Sequence, residues 1–415
     1  MRSQSDMKDL DSNSPEPAPK ILKLENSFDP DEKRVRTGVE EVDRVLGGGL
    51  VSGSLLLLSG EPGVGKSTLV AQISDNLARI QGEKKVLYVS GEESASQVGS
   101  RFSRLGCDLS NINFLGEIRV ERIIAGIKEL EPELVIIDSI QTVYTKEVSS
   151  GAGGVTQISA STVKFLELAK ERGVSVVLVG HITKDGQVAG PKSLEHIVDS
   201  VLYLESSTSG GYSILRSSKN RFGSVDEVGV FEMSGTGFKE IVNPSLAFID
   251  NDQTNISGAV ITCVLEGSRS FLLDVQALVT KTVFGYPQRK ASGIDINRLQ
   301  ILTAVISKRT KIDLTSQDVV INVVGGFKIN DTSLDLAICT AIITSLLNQT
   351  MDRQTMVLGE VGLGGEVRSV PKLENRLKEG KKMGFKRAII PNVSVESRGL
   401  ELKKISQVSD ILSLF

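Results

Sequence analysis

The chain has 415 residues, more than one hydrophobic core usually organises, so two or three domains are expected. Hydrophobic residues make up 40% and charged residues 24%, with a mean hydropathy of +0.01, which argues against disordered, fibrous and membrane-spanning classes. Forty-eight Lys and Arg against 51 Asp and Glu leave a net charge of −3, so any affinity for nucleic acid must reside in a local patch. Cys107, Cys263 and Cys339 lie far apart without C-x-x-C spacing, which points to a reducing compartment. The longest aliphatic run, Leu55 to Leu58, is too short to cross a bilayer, and polar residues rather than a signal peptide follow Met1. A cytoplasmic protein is expected.

Residues 1–34 are Asp-, Ser- and Pro-rich with no apolar period, so a flexible tail is expected there. From Val35 onward short aliphatic runs alternate with helical patterns, and Ser54–Ser59, Lys85–Ser90, Leu134–Asp138 and Ser175–Gly180 read as buried strands. That alternation predicts an α/β domain over 35–243, with a mostly parallel sheet covered by helices. Turn chemistry at Ser234-Gly235-Thr236-Gly237, Asn243-Pro244 and Asn251-Asp252 places a boundary near Asn243. An α+β domain is expected over 244–415, with strands at Gly258–Leu265, Phe271–Thr280, Val319–Val324 and Thr355–Gly359. Its helices are expected at Ile296–Ser307, Ser333–Leu347 and Leu373–Met383.

Gly60-Glu61-Pro62-Gly63-Val64-Gly65-Lys66-Ser67, followed by Thr68, fits G-x-x-x-x-G-K-[ST] between a predicted strand and a predicted helix. In that context backbone N–H groups cradle phosphate oxygens, Lys66 reaches the β/γ oxygens and Ser67 ligates magnesium, so ATP and Mg2+ are the expected cofactors. The strand Leu134–Asp138 ends in a carboxylate suited to reach the same magnesium through water. Between them, Val86–Ser90 is followed by Glu92 and Glu93 at the sheet edge where ligands of α/β folds collect. Glu92, first off the strand, is the candidate to orient or deprotonate the attacking water, and either glutamate could instead be a helix-start charge.

The order of these motifs, with Thr37-Gly38 and Leu46-Gly47-Gly48-Gly49 ahead of the phosphate loop, resembles the RecA-like P-loop ATPase core. Gly180-His181-Ile182-Thr183-Lys184-Asp185-Gly186, Ala189-Gly190-Pro191, Leu194-Glu195-His196 and Lys219-Asn220-Arg221-Phe222-Gly223 narrow the resemblance to the RadA/Sms family of DNA repair and recombination proteins. The resemblance implies a homo-oligomeric ring, expected to be a hexamer, that hydrolyses ATP, binds single-stranded and branched DNA and drives branch migration beside a recombinase partner. It makes Lys219 and Arg221 candidates for completing a neighbour's ATP site or for coupling it to DNA. The bland alternative is that both are solvated charges on a turn after the strand Tyr212–Leu215. His181 resembles a γ-phosphate sensor, with Lys184 and Lys192 in or near a DNA-contacting loop.

The C-terminal half resembles the Lon protease domain. Ser333 falls on the nucleophile position, whereas Glu374 falls where the family's lysine base stands, and Lys372 is turned about 200° from that face of a helix. An inactive, ring-forming domain is therefore expected, with Arg289, Lys290 and Arg298 as a possible DNA surface. The family's N-terminal four-cysteine module is not found here, since no cysteine precedes Cys107; either the sequence lost it or the chain is a shortened version, and zinc is not expected. A regulatory ATPase acting through protein contacts, or an ATP-dependent peptidase, are the competing readings.

Overall fold

The computed structural model describes residues 34–80, 85–110, 112–181, 194–206, 211–245, 249, 256–283, 285–324 and 329–415. The candidate DNA-contacting residues Lys184 and Lys192 lie outside them.

The chain enters through a short hairpin-like pair, β1 (Arg34–Val35) with β2 (Leu50–Val51), that brackets α1 (Glu40–Leu46). It then alternates β3 (Leu55–Gly60), α2 (Lys66–Ile80), β4 (Val86–Ser90), α3 (Ala95–Arg104), β5 (Ile112–Leu115), α4 (Val120–Leu130), β6 (Leu134–Asp138), α5 (Val155–Arg172) and β7 (Ser175–Val179). β8 (Ser200–Ser206), β9 (Tyr212–Asn220), β10 (Val228–Ser234) and β11 (Gly237–Glu240) complete a sheet ordered β11-β10-β9-β8-β3-β7-β6-β4-β5. The six strands from β8 to β5 are parallel, and β9, β10 and β11 extend the sheet antiparallel. Strand alternation sends Leu56 and Leu58 to one face, in a core with Leu69, Val70 and Ile73 of α2. Leu55 and Leu57 go to the other, in a core with Phe165 and Leu168 of α5. Burial on both faces explains why these strands read as continuous apolar runs.

The second sheet, ordered β14-β15-β13-β12-β16-β19-β20, is built from β12 (Ala259–Glu266), β13 (Arg269–Lys281), β14 (Arg289–Ser292), β15 (Gln317–Val323), β16 (Thr355–Val357), β19 (Arg387–Pro391) and β20 (Glu401–Ile405). The pair β17 (Glu360–Val361) and β18 (Val367–Arg368) stands apart. One core gathers residues of α6 (Ile296–Arg309) and α7 (Asp335–Leu347), and another gathers Leu373 and Leu377 of α8 (Leu373–Lys382) with Ile261, Met356 and Ile390. The expected strands and helices of this half are present to within a few residues at their ends. β14, β19 and β20, which the sequence reading did not anticipate, complete the sheet.

Residues 34–415 form one unit, and the two sheets share apolar packing. Ile214, Val228 and Val230 of the first sheet are buried in the same cluster as Phe271, Leu273 and Ile342 of the second half. The turn joining β12 to β13 also grips the first sheet. Gly267 lies so close to Asp226 that a Cβ would stand 1.5 Å from its carbonyl oxygen, and Ser268 N–H donates to that oxygen at 2.6 Å. Beside it Arg269 donates to the buried carboxylate of Glu41 at 2.6 Å, and Arg216 pairs with Glu266.

Candidate nucleotide-binding site

The phosphate loop leaves β3 at Gly60 and returns the chain into α2 at Lys66, which directs the N–H groups of a helix start toward any bound phosphate. Gly65 has φ of 102°, and a Cβ there would lie 2.6 Å from Met233 and 2.7 Å from Phe238, so the position admits no larger residue. Glu61, Pro62 and Gly63 are exposed, Val64 is buried, and Ser67 and Thr68 are half-buried on the first turn of α2. The Lys66 ammonium is turned onto the carbonyls of Gly60 and Glu61, each at 2.9 Å. Burial holds its pKa below the usual lysine value, against the pull of Asp138.

Asp138 pairs in register with Ser90 on β4 and with Val179 on β7, so the ends of three parallel strands meet beside the loop. The next residue, Ser139, donates its hydroxyl to Glu92 Oε1 at 2.7 Å. Glu93 is instead engaged by Arg101 at 2.5 Å, and Ser94 caps α3 through a capping box with Gln97. The adjacent glutamates therefore differ in their partners: Glu92 is exposed and aligned with Ser139, whereas Glu93 is held by an arginine. His181, just beyond β7, is half-buried, and burial first and the Lys66 charge second lower its pKa.

Among the described residues, Ser59 Oγ, Gln141 Oε1 and His181 Nδ1 are buried polar atoms without a hydrogen-bond partner. With the inward-turned Lys66, these atoms fit a site completed by a polyphosphate and its magnesium. Sequence reasoning missed Tyr88, Arg101 and Ser139. Tyr88 was detectable in principle, as a phenol in an otherwise aliphatic buried strand whose hydroxyl must find a partner.

Lys219 and Arg221 do not face this loop. The strand expected to stop at Leu215 continues to Asn220, so Lys219 lies in β9 and only Arg221 stands in the turn. The register pairs Ser200 with Asn220 and Gly60 with Leu204, which sets the segment about 13 Å along β8 from the chain's own phosphate loop, at the opposite end of the strands. Lys219 donates to the carbonyls of Glu195 and Val198 at 2.5 and 2.8 Å, and burial lowers its pKa. Arg221 is half-exposed and pairs with Asp199 at 3.4 Å.

In the second half, Ser333 is fully buried and its hydroxyl receives a bond from Arg376 at 2.8 Å. Arg376, itself buried, also donates to Asp331 at 2.7 Å and to the Cys263 carbonyl at 2.6 Å. Glu374, matched in sequence to the lysine base, is exposed and pairs with Arg398 at 2.7 Å; Arg376, two residues along α8, is the residue that meets the serine. Arg289 donates to the carbonyls of Leu314 (2.9 Å), Gln317 (2.5 Å) and Gln288 (3.0 Å), and Arg298 forms a two-pronged pair with the buried Asp335. Both guanidinium groups are thus hydrogen-bonded within the second half, and Lys290 is exposed. Exposed cations gather elsewhere. From Lys372 to Lys404 the chain carries ten Lys and Arg against four Glu, and Lys378, Lys382, Lys386, Lys403 and Lys404 are exposed.

Among the described residues no helix is long and apolar enough to cross a membrane, and no cluster of three or more His, Cys, Asp or Glu could hold a metal ion. Residues 19–187 match the model of the AAA domain, and residues 282–394 match that of subunit ChlI of Mg-chelatase. With the phosphate loop, the first match makes this an ATPase site on a RecA-like core, followed by a Lon-like α+β half. The chain is 44% identical over 398 residues to the DNA repair protein RadA of Halalkalibacterium halodurans and 43% identical over 400 residues to that of Bacillus subtilis. It is 42% identical over 399 residues to that of Escherichia coli, and in all three comparisons the alignment covers 95% of this chain and 86% of the relative. Similarity of this degree along nearly the whole chain shows that it belongs to the DNA repair protein RadA family.

Proposed function

We propose that the protein acts in DNA repair as an ATP-driven ring, binding single-stranded and branched DNA and moving branch points beside a recombinase in the cytoplasm. One observation supports the ring: Lys219 and Arg221 lie at the end of the strands opposite their own phosphate loop, out of its reach, so a cation of this turn that served an ATP site would serve one on another copy. Gly60 to Thr68 hold the phosphates, Lys66 neutralises charge on the β/γ oxygens, and Ser67 with Asp138 serves Mg2+, which draws charge from the transferred phosphoryl group when bound. Glu92, held by Ser139, orients the attacking water, and Arg221 of a neighbouring copy stabilises the charge that develops on the phosphoryl oxygens. A tie between hydrolysis and assembly follows from that arrangement.

The division into 35–243 and 244–415 belongs to this reading, with the second part a scaffold and a DNA surface. Its phosphate contacts come from the cationic strip of α8, β19 and β20 more than from Arg289, because contacts of this kind need exposed charges free to replace counterions. A peptidase role is disfavoured by Arg376. A guanidinium cannot accept the serine proton, and Ser333 is sealed from solvent.

The test is a three-strand branch-migration assay with sizing of the assembly. ATP-dependent migration by a ring is expected, with Lys66→Ala losing hydrolysis and Arg221→Ala keeping its fold and ATP binding but losing migration. Full activity of a monomer would overturn the ring, and loss of DNA binding at low salt alongside ATP-dependent capture of a protein partner would favour the regulatory alternative.

A further inference from the structure

Tyr88 is fully buried on β4, two residues before Ser90, and its hydroxyl donates to Asp138 Oδ2 at 2.5 Å. The same phenol oxygen accepts from Arg101 at 2.8 Å, and the Arg101 guanidinium reaches to 4.0 Å from Asp138 Oδ2 while pairing with Glu93. The ring is held independently of these polar contacts, edge-on to Phe102 with centroids 5.6 Å apart. Arg101 has no acceptor to offer, so the buried phenol proton has Asp138 as its acceptor.

We infer that Tyr88, backed by Arg101, is a positioning residue for the metal: it fixes Asp138 by one oxygen so that the other is presented to the water shell of magnesium. The phenol selects one rotation of the carboxylate before nucleotide arrives, and Arg101 holds the phenol in line. A carboxylate free to turn would lose that preorganisation on every binding event, which is why outer groups of this kind commonly carry roughly 10–100-fold in metal affinity. The inference rests on the magnesium role proposed above for Asp138.

The experiment titrates Mn2+ into the full chain with a non-hydrolysable ATP analogue, following free metal by electron paramagnetic resonance, and measures analogue affinity separately in EDTA. Tyr88→Phe keeps the ring and its packing. It is expected to weaken Mn2+ binding about tenfold or more while leaving the affinity in EDTA within about twofold. Phe102→Leu, which disturbs the same packing without touching the carboxylate, is expected to bind Mn2+ as the wild type does. Wild-type Mn2+ affinity in Tyr88→Phe overturns the inference, as does an equal loss in Phe102→Leu, which would trace the effect to packing. Asp138→Asn separates the two levels: unchanged Mn2+ affinity there overturns the metal reading itself and this inference with it.

Discussion

Asp199 holds Arg221 twice, through its carbonyl oxygen to the arginine N–H at 3.1 Å and through Oδ1 to the guanidinium at 3.4 Å. Its other carboxylate oxygen accepts from the Leu55 N–H at 3.0 Å, at the foot of the strand that ends in the phosphate loop. One buried carboxylate therefore connects the start of β3 with the turn assigned to a neighbour's site. Asn in its place keeps an oxygen for Leu55 and loses the ion pair. Asp199→Asn is expected to lower ATP turnover of the assembled protein about tenfold, toward the level of Arg221→Ala, with nucleotide affinity near wild type. Turnover and nucleotide titrations check this; an equal loss in affinity would assign the pair to supporting β3 instead.

Glu92→Gln retains an acceptor for Ser139 and removes the carboxylate proposed to orient the attacking water. Single-turnover hydrolysis is expected to fall by roughly 10²–10⁴-fold with nucleotide binding preserved. Glu93→Gln, whose wild-type partner is Arg101, is expected to change the rate far less.

The pair Glu41–Arg269 joins the second half to α1. Glu41 is also the acceptor for Val230 N–H at 2.9 Å and is fully buried, so removing the arginine leaves a carboxylate short of its main counter-charge. Arg269→Ala is expected to cost about 3–5 kcal/mol in urea unfolding, and the double variant with Glu41→Gln to recover part of that loss. Strict additivity of the two substitutions would show that the pair is not the source.

His181 sets a pH dependence. Its folded pKa lies below 6.5, because burial and the Lys66 charge disfavour the imidazolium, so the unfolded chain binds the proton more readily. The stability that neutral His181 provides is present above pH 6.5 and is lost as pH falls through the folded value. The melting temperature of the wild type is expected to drop more between pH 7 and pH 5 than that of His181→Asn, when the two are compared in the same buffers; parallel curves would remove this contribution.

The phosphate loop, Asp138 and the glutamates after β4 were legible because each is a local pattern: a strand end, a glycine-spaced turn, a helix start. What remained hidden joins residues distant in sequence. Tyr88 and Asp138 sit 50 positions apart, and Glu41 and Arg269 sit 228 apart, and no spacing rule connects either pair. The serine site shows the limit of matching by position. Residues 374 and 376 are separated by about 200° around α8, so a two-residue offset exchanges an exposed glutamate for the buried arginine that meets Ser333. The charges after Tyr212 were misplaced for a related reason, since pairing with β8 carries β9 on through polar Ser217 and Lys219, where the apolar run had ended.

Ile214, Val228 and Val230 stay dry only while the second half covers them. A chain severed near Asn243 would release two sticky fragments rather than two working halves. Premature stop codons in the latter part of the gene should accordingly behave as complete nulls, with the truncated product cleared by proteases or found in inclusion bodies, and no spare nucleotide hydrolase left in the cell.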